Sequence, residues 1–444
     1  MTVNRNRNLD IILGKNIEEF EWSDVEKIVE NQLEESQLLE YKSQHYGSTD
    51  SDKREFAKDI AAFANTSGGV LVIGIHEDEF GRATGLNPIQ LDEGVELRYR
   101  QIITTRVQPQ ISLSVKMVST PGDTSLGIMI FAISRSNLAP HCVFVGTDLR
   151  FPSRLVKTTN YLQERDLANA YRDRFALNHS RLQLLDQREK DFLENLDKET
   201  LWFVLTLVPD FPGFQNLDRA TCAELSTLIS RQRVTLPWDA RWFGEPKTRY
   251  RQLFAIENDS VSGECGDAAL EVHTDGSGCF AVRLVHSLDN SPERAELFGV
   301  HIVPPEQIVD AVISGMRWLG KFAWMFGADG MANMRGRIWC AIASTPVSIG
   351  RVQALNRIQV GEIVKKSVAC EVSVPISDIS SEGTELIKSS SFLVHDISQS
   401  MGLIDLGFID SEGRIRYKYW RTDEQNHVKS WCQSIEVEIS EEVL

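Results

Sequence analysis

The chain has 444 residues, 42% of them hydrophobic, with 63 acidic against 47 basic side chains and a formal net charge of −16. That length exceeds one typical core and sets an expectation of two or three domains. No apolar run approaches the roughly 20 residues that cross a bilayer, the polar stretch 1–8 has no apolar segment behind it to make a secretory signal, and the seven cysteines include no C-x-x-C pair, which argues against a Cys-built zinc site and fits reduced thiols in the cytoplasm. A net negative field repels polyanions, but the segment 98–174 reverses the balance, with eleven basic residues against five acidic ones.

In chain order, residues 1–20 read as an extended arm. Ser23 with Glu26 forms a capping-box pattern, and Val25, Ile28, Val29 and Leu33 follow at helical spacing, so a helix is expected over about 24–33. Residues 38–43 alternate as a short strand, with Leu39 and Tyr41 on one face and Glu40 and Lys42 on the other. Asp52 as N-cap with Glu55, and the stripe Phe56, Ile60, Phe63, signal a second helix that ends at Asn65, where Ser67, Gly68 and Gly69 supply a C-cap. The apolar run 70–75 reads as a central strand covered on both faces. A helix near 90–105, strands at 111–117, 126–133 and 142–145, and a helix at 163–174 complete the unit. A connecting helix is expected at 180–196. Beyond it come a strand at 201–208, a hairpin turning at 275–278, a long helix at 306–326, a buried strand at 338–343, a helix at 386–401 and a hairpin over 410–420. The fold class expected is α+β: an N-terminal mixed α/β domain over 20–175, a connector at 176–200 and an α+β region of unknown role, sensor or oligomerisation, over 201–444.

Acidic and basic side chains crowd around one glycine turn. Glu35 and Glu40 are five residues apart, about 140° on a helix and opposite faces on a strand, so they converge only where the chain turns between them. Glu34 and Glu35 follow a helix C-terminus, whose dipole disfavours anions, so a positive group is expected there. Carboxylates meeting in one cleft repel one another unless a cation joins them, and oxygen-only ligation suits Mg²⁺ or Mn²⁺. Lys42, on the face of Glu40, is placed to contact a phosphate.

The strings Glu35-Ser36-Gln37-Leu38-Leu39-Glu40-Tyr41-Lys42, Ala62-Phe63-Ala64-Asn65-Thr66-Ser67-Gly68-Gly69-Val70-Leu71-Val72-Ile73-Gly74, and Phe151-Pro152-Ser153-Arg154 occur in that order. Together they resemble the Schlafen-type domain, also called AlbA-like or "divergent AAA". Some members are endoribonucleases and others nucleic-acid or ATP binding modules. The resemblance implies metal ligation by Glu35, Glu40 and a third acid. Relatives read G-V-D-D where this chain reads Gly74-Ile75-His76-Glu77-Asp78, so Asp78 is favoured and Glu77 is the alternative. It further implies a metal-dependent endoribonuclease with catalytic Glu35, Glu40, Lys42 and Asp78, acting on structured RNA such as tRNA in a stress response or anti-phage defence. Relatives pair two such domains, which implies a homodimer here. The competing reading is a non-catalytic nucleic-acid-binding regulator that grips phosphates through Arg150, Arg154 and Lys157. ATP binding ranks last, because no G-x-x-x-x-G-K-[ST] loop is present.

Overall fold

The computed structural model describes residues 20–441 apart from 112, 147, 199, 236–240, 258–266, 285–300, 341–345, 354–356, 361, 365, 366 and 423. The arm expected at 1–20 lies outside these residues except for its last. Helices and strands mix throughout, as the α+β expectation required. The chain divides into two compact units after Ser180. Among the described residues no helix is long and apolar enough to cross a membrane.

In the N-terminal unit, helix α1 (Trp22–Glu30) leads to strand β1 (Leu39–Lys42), α2 (Asp50–Ala64) and β2 (Gly69–Ile73). A hairpin of β3 (Ile75–Glu77) and β4 (Ala83–Leu86), the short β5 (Ile89–Gln90) and α3 (Glu93–Arg106) follow. Next come β6 (Val107–Gln108), β7 (Leu113–Thr120), β8 (Asp123–Ile133), β9 (Cys142–Val145), β10 (Asp148–Arg150), β11 (Pro152–Leu155) and β12 (Thr158–Tyr161). Five strands form the main sheet, with order β1-β2-β8-β5 and β7 also paired to β8. β1 runs parallel to β2 at one edge of the sheet, and β8 is antiparallel to its partners.

Successive side chains of a strand point to opposite faces, and both faces of β2 are covered. Leu71 and Ile73 meet Phe56, Ile60 and Phe63 of α2 and Tyr99 of α3. Val70 and Val72 meet Leu39, Tyr41 and the α1 residues Val25 and Ile28. Each such burial contributes roughly 1.5–3 kcal/mol, which accounts for a run without a polar position. Gly69, at φ +154°, lets β2 start directly under the end of α2, since a Cβ there would stand 2.4 Å from the Phe63 ring.

Two caps differ from expectation. The α1 capping box is Glu21 with Asp24, not Ser23 with Glu26, and Glu26 instead accepts from the Trp22 indole at 2.9 Å. The N-cap of α2 is Thr49, with Asp52 as the reciprocal partner one turn in. The helices expected at 163–174 and 180–196 are one helix, α4 (Glu164–Leu193).

The C-terminal unit is built on a seven-stranded antiparallel sheet. Its elements are β13 (Trp202–Phe211), α5 (Arg219–Arg231), β14 (Lys247–Arg249), β15 (Gln252–Ile256), β16 (Ala268–His273), β17 (Gly278–Arg283), β18 (His301–Val303), α6 (Pro305–Met325), β19 (Asp329–Trp339), β20 (Val347–Gln353), β21 (Arg357–Val360), β22 (Val368–Pro375), α7 (Ile376–Ile379), α8 (Thr384–Ser400) and α9 (Gln425–Ser434). The sheet order is β14-β15-β16-β17-β13-β19-β22. Side chains of α6 and α8 cover one face. On the other, Phe192 and Leu196 pack on Trp202, Val204 and Phe254. The hairpin expected at 410–420 is reduced to an isolated bridge between Ile409 and Ile415, with Asp410 capping the turn by accepting from the N–H groups of Glu412 and Arg414. Helix α5 was not expected, although Cys222, Leu225, Leu228 and Ile229 stand at helical spacing and pack on the core.

Candidate active site

The Glu35 to Glu40 interval is a tight turn. Ser36 N–H donates to the Leu39 carbonyl at 3.0 Å, and its hydroxyl accepts from the Leu38 N–H at 3.1 Å. The turn folds Glu35 back so that its Oε1 accepts the Tyr41 N–H at 2.8 Å. Ser36 is therefore the residue that lets two acids of opposite strand parity approach each other. Glu40 lies on the face of β1 opposite Leu39 and Tyr41, as expected, and Lys42 on the same face donates to it.

The hairpin β3–β4 brings the third acid. Glu77, on β3, lines the same cleft as Glu35, and its charge acts on the Glu35 carboxyl. Asp78 instead caps its own turn: its Oδ1 accepts from the N–H groups of Phe80 and Arg82, both at 2.9 Å, and these bonds hold its pKa below the usual range. Of the two candidates for the third position, the geometry therefore brings Glu77 to Glu35 and leaves Asp78 on the rim. Gly81 closes this turn at φ +78°, and a Cβ there would stand 3.2 Å from the Glu35 carboxylate.

Two regimes of charge result. Around Glu35, burial pushes the carboxyl up and the charges of Glu77 and Glu40 add to it, against the Tyr41 hydrogen bond, giving a pKa of about 7. Around Glu40, burial also pushes upward, but the Lys42 ammonium and the Arg154 guanidinium overcome it and hold the group below the usual range. Behind Glu40, burial and the Glu40 charge push Asp59 up to about 6, while Tyr46 donates to it at 2.8 Å. Glu34 receives the expected positive group: Lys157 at 2.5 Å and Arg82 at 3.9 Å.

Arg154 reaches Glu40 because the Ala62–Gly69 motif staples β11 to the end of α2. The Asn65 amide donates to the carbonyls of His141 at 2.8 Å and Pro152 at 2.7 Å, and accepts the His141 N–H at 2.6 Å. The Thr66 hydroxyl donates to the Ala62 carbonyl and accepts the Arg154 N–H, each at 2.9 Å. The Arg154 guanidinium then sits 4.3 Å from the Phe63 ring centroid, pairs with Glu40 and donates to the Ser36 carbonyl at 3.0 Å. Its side chain is 1% exposed, so it does not stand on a surface where it could grip a phosphate. Arg150 is exposed, near Asp148 at 3.6 Å and over the Tyr161 ring. Asn65, Thr66, Ser36, Asp59 and Arg82 carry roles that residue type alone did not signal, and the motif strings were the one pointer to the first three.

Glu34, Glu35, Glu77, Asp78, Phe80, Arg82 and Lys157 line an open cleft of about 480 Å³. Among the described residues no three His, Cys, Asp or Glu side chains stand together in a way that would hold a metal ion. Glu40 is instead paired with Lys42 and Arg154. The ligand set Glu35, Glu40 and Asp78 is thus not assembled. Glu35 and Glu77 remain as acids lining the cleft, and one or two carboxylates completed by water is a set that Mg²⁺ accepts.

The family model described as "Schlafen, AlbA_2" matches residues 35–158. No curated protein matches. Among solved structures, the crystal structure of the DIP2311 protein from Corynebacterium diphtheriae is 21% identical over 33% of this chain and 27% of that one, with a TM-score of 0.24. The segment that carries Glu35, Glu40, Glu77 and Arg154 is thus the matched segment, and across residues 35–158 this chain carries a Schlafen-type, AlbA-like domain.

Proposed function

We propose that the cleft is a divalent-metal-dependent phosphodiesterase site that cuts structured RNA such as tRNA, in a stress response or in defence against phage. The observation that carries this reading is that Glu35 and Glu77 line one open cleft with Lys157 and Arg82, close enough for the Glu77 charge to push the Glu35 carboxyl up. Glu35 and Glu77 would hold Mg²⁺ or Mn²⁺, which supplies charge neutralisation and a water of lowered pKa. Lys42, with 31% of its side chain exposed, and the rim residues Lys157 and Arg82 are the bases open to a phosphate. Arg154 acts through Glu40, holding its carboxylate ionised and fixed in place.

Purified protein incubated with total tRNA in Mn²⁺ or Mg²⁺, and separately in EDTA, is expected to yield discrete fragments only with metal. Glu77→Gln and Glu40→Ala are expected to abolish them, while Asp78→Asn keeps them. Undiminished cleavage by Glu77→Gln would sink the assignment of that residue. A homodimer would supply the second domain that related nucleases carry in one chain, and a sedimentation mass equal to a single chain would contradict it.

A second reading, a nucleic-acid-binding regulator without turnover, draws on the neutralised Glu40 and the absence of a three-carboxylate group among the described residues. It expects a band shift on intact tRNA after long incubation with Mn²⁺.

A further inference from the structure

Phe80 stands in the turn between β3 and β4, 58% exposed, and lines the same cleft as Glu35 and Glu77. Its backbone is held from both sides. The N–H donates to Asp78 Oδ1 at 2.9 Å, and the carbonyl accepts from Lys157 Nζ. The Arg82 guanidinium lies 5.5 Å from the ring centroid. Lys157 comes from the β11–β12 turn, where Leu155 and Val156 are 62% and 63% exposed and Val156 adopts φ +57°. A β-branched residue there is an outlier that survives only where neighbours impose it. The Phe80 ring thus stands more than half exposed beside a carboxylate cleft, with the Arg82 guanidinium near it.

We propose that Phe80 stacks an unpaired nucleobase adjacent to the phosphate that the cleft receives, so that the site selects looped or single-stranded nucleotides over continuous duplex. The proposal rests on the reading of the cleft as a phosphodiester site. A flanking base lies a few ångströms from its phosphate, every base offers a π-face, and duplex bases are already stacked and out of reach.

The test is titration of an RNA hairpin carrying 2-aminopurine in its loop, and of a blunt duplex with the same label, in Ca²⁺. Wild type is expected to quench the loop label. Phe80→Ala is expected to weaken loop binding roughly tenfold or more, with Phe80→Trp restoring it and duplex binding unchanged. Tight loop binding by Phe80→Ala, with wild type also binding, overturns the stacking role and leaves the phosphodiester reading standing. Failure of wild type to bind either RNA overturns both, and a change of oligomeric mass in Phe80→Ala overturns the stacking role by placing the ring at a subunit contact.

Discussion

Glu35 links the cleft to the stability of the whole domain. Its pKa is 4.5 when unperturbed and about 7 in the fold, so between those values the folded chain keeps a proton that the unfolded chain has released. Stability therefore falls as pH rises from about 4.5 through about 7 and levels off above. Asp59, raised from 3.8 to about 6, acts in the same direction over a lower window. In EDTA the melting temperature is expected to decline from pH 5 to pH 8, and Glu35→Gln is expected to flatten that slope. A slope identical in the variant would remove Glu35 as its source. Arg154→Met isolates the other regime. It leaves Glu40, only 9% exposed, with Lys42 as its one counter-charge. The expected loss is roughly 3–5 kcal/mol in urea unfolding, with much of it recovered when Glu40→Gln is added.

The element that matters most is the join between α2 and β11. Asn65→Ala deletes three hydrogen bonds, each worth about 1 kcal/mol net, and frees the strand that carries Arg154. Amide exchange along 152–155 is expected to accelerate in that variant while β2 stays protected; equal protection in both strands would show that the staple is dispensable. The main strands were legible because their signal is local: the unbroken apolar run of β2 and the alternation of β1 each follow from one face or two being covered. The turn between Glu35 and Glu40 was legible from the same alternation. Less visible was the choice between Glu77 and Asp78, although Asp78-Glu79-Phe80-Gly81 has the Asp-first, Gly-last composition of a type I turn, which commits Asp78 to its own backbone. The caps were misplaced because Thr49 and Asp52 both cap well and only the reciprocal bonding decides between them. Helix α4 read as two because Phe175 and Leu177, between the two expected helices, are exposed and continue neither stripe.

Across the whole molecule, the boundary between the two compact units, after Ser180, falls inside α4, and the residues just beyond it serve the C-terminal sheet. Arg181 pairs with the buried Asp210 at 2.7 Å, Glu189 bonds Arg337 at 2.8 Å, and Phe192 and Leu196 are 0% and 4% exposed. A fragment 181–444 is therefore expected to unfold cooperatively in urea. A fragment 201–444, which uncovers Trp202 and Phe254 and removes the Arg181 counter-charge of Asp210, is expected to aggregate or melt early. Equal midpoints for the two would show that this segment contributes nothing. At the opposite end of the chain, Glu40 and Arg154 stand 114 positions apart. At about 5–20 residues per second, Glu40 emerges from a ribosome many seconds before the arginine that fixes it, and before the strand on which that arginine is stapled. A nascent or prematurely terminated chain thus displays the acidic motif without its assembled cleft, and the synthesising cell meets the finished site only once the domain has been translated in full.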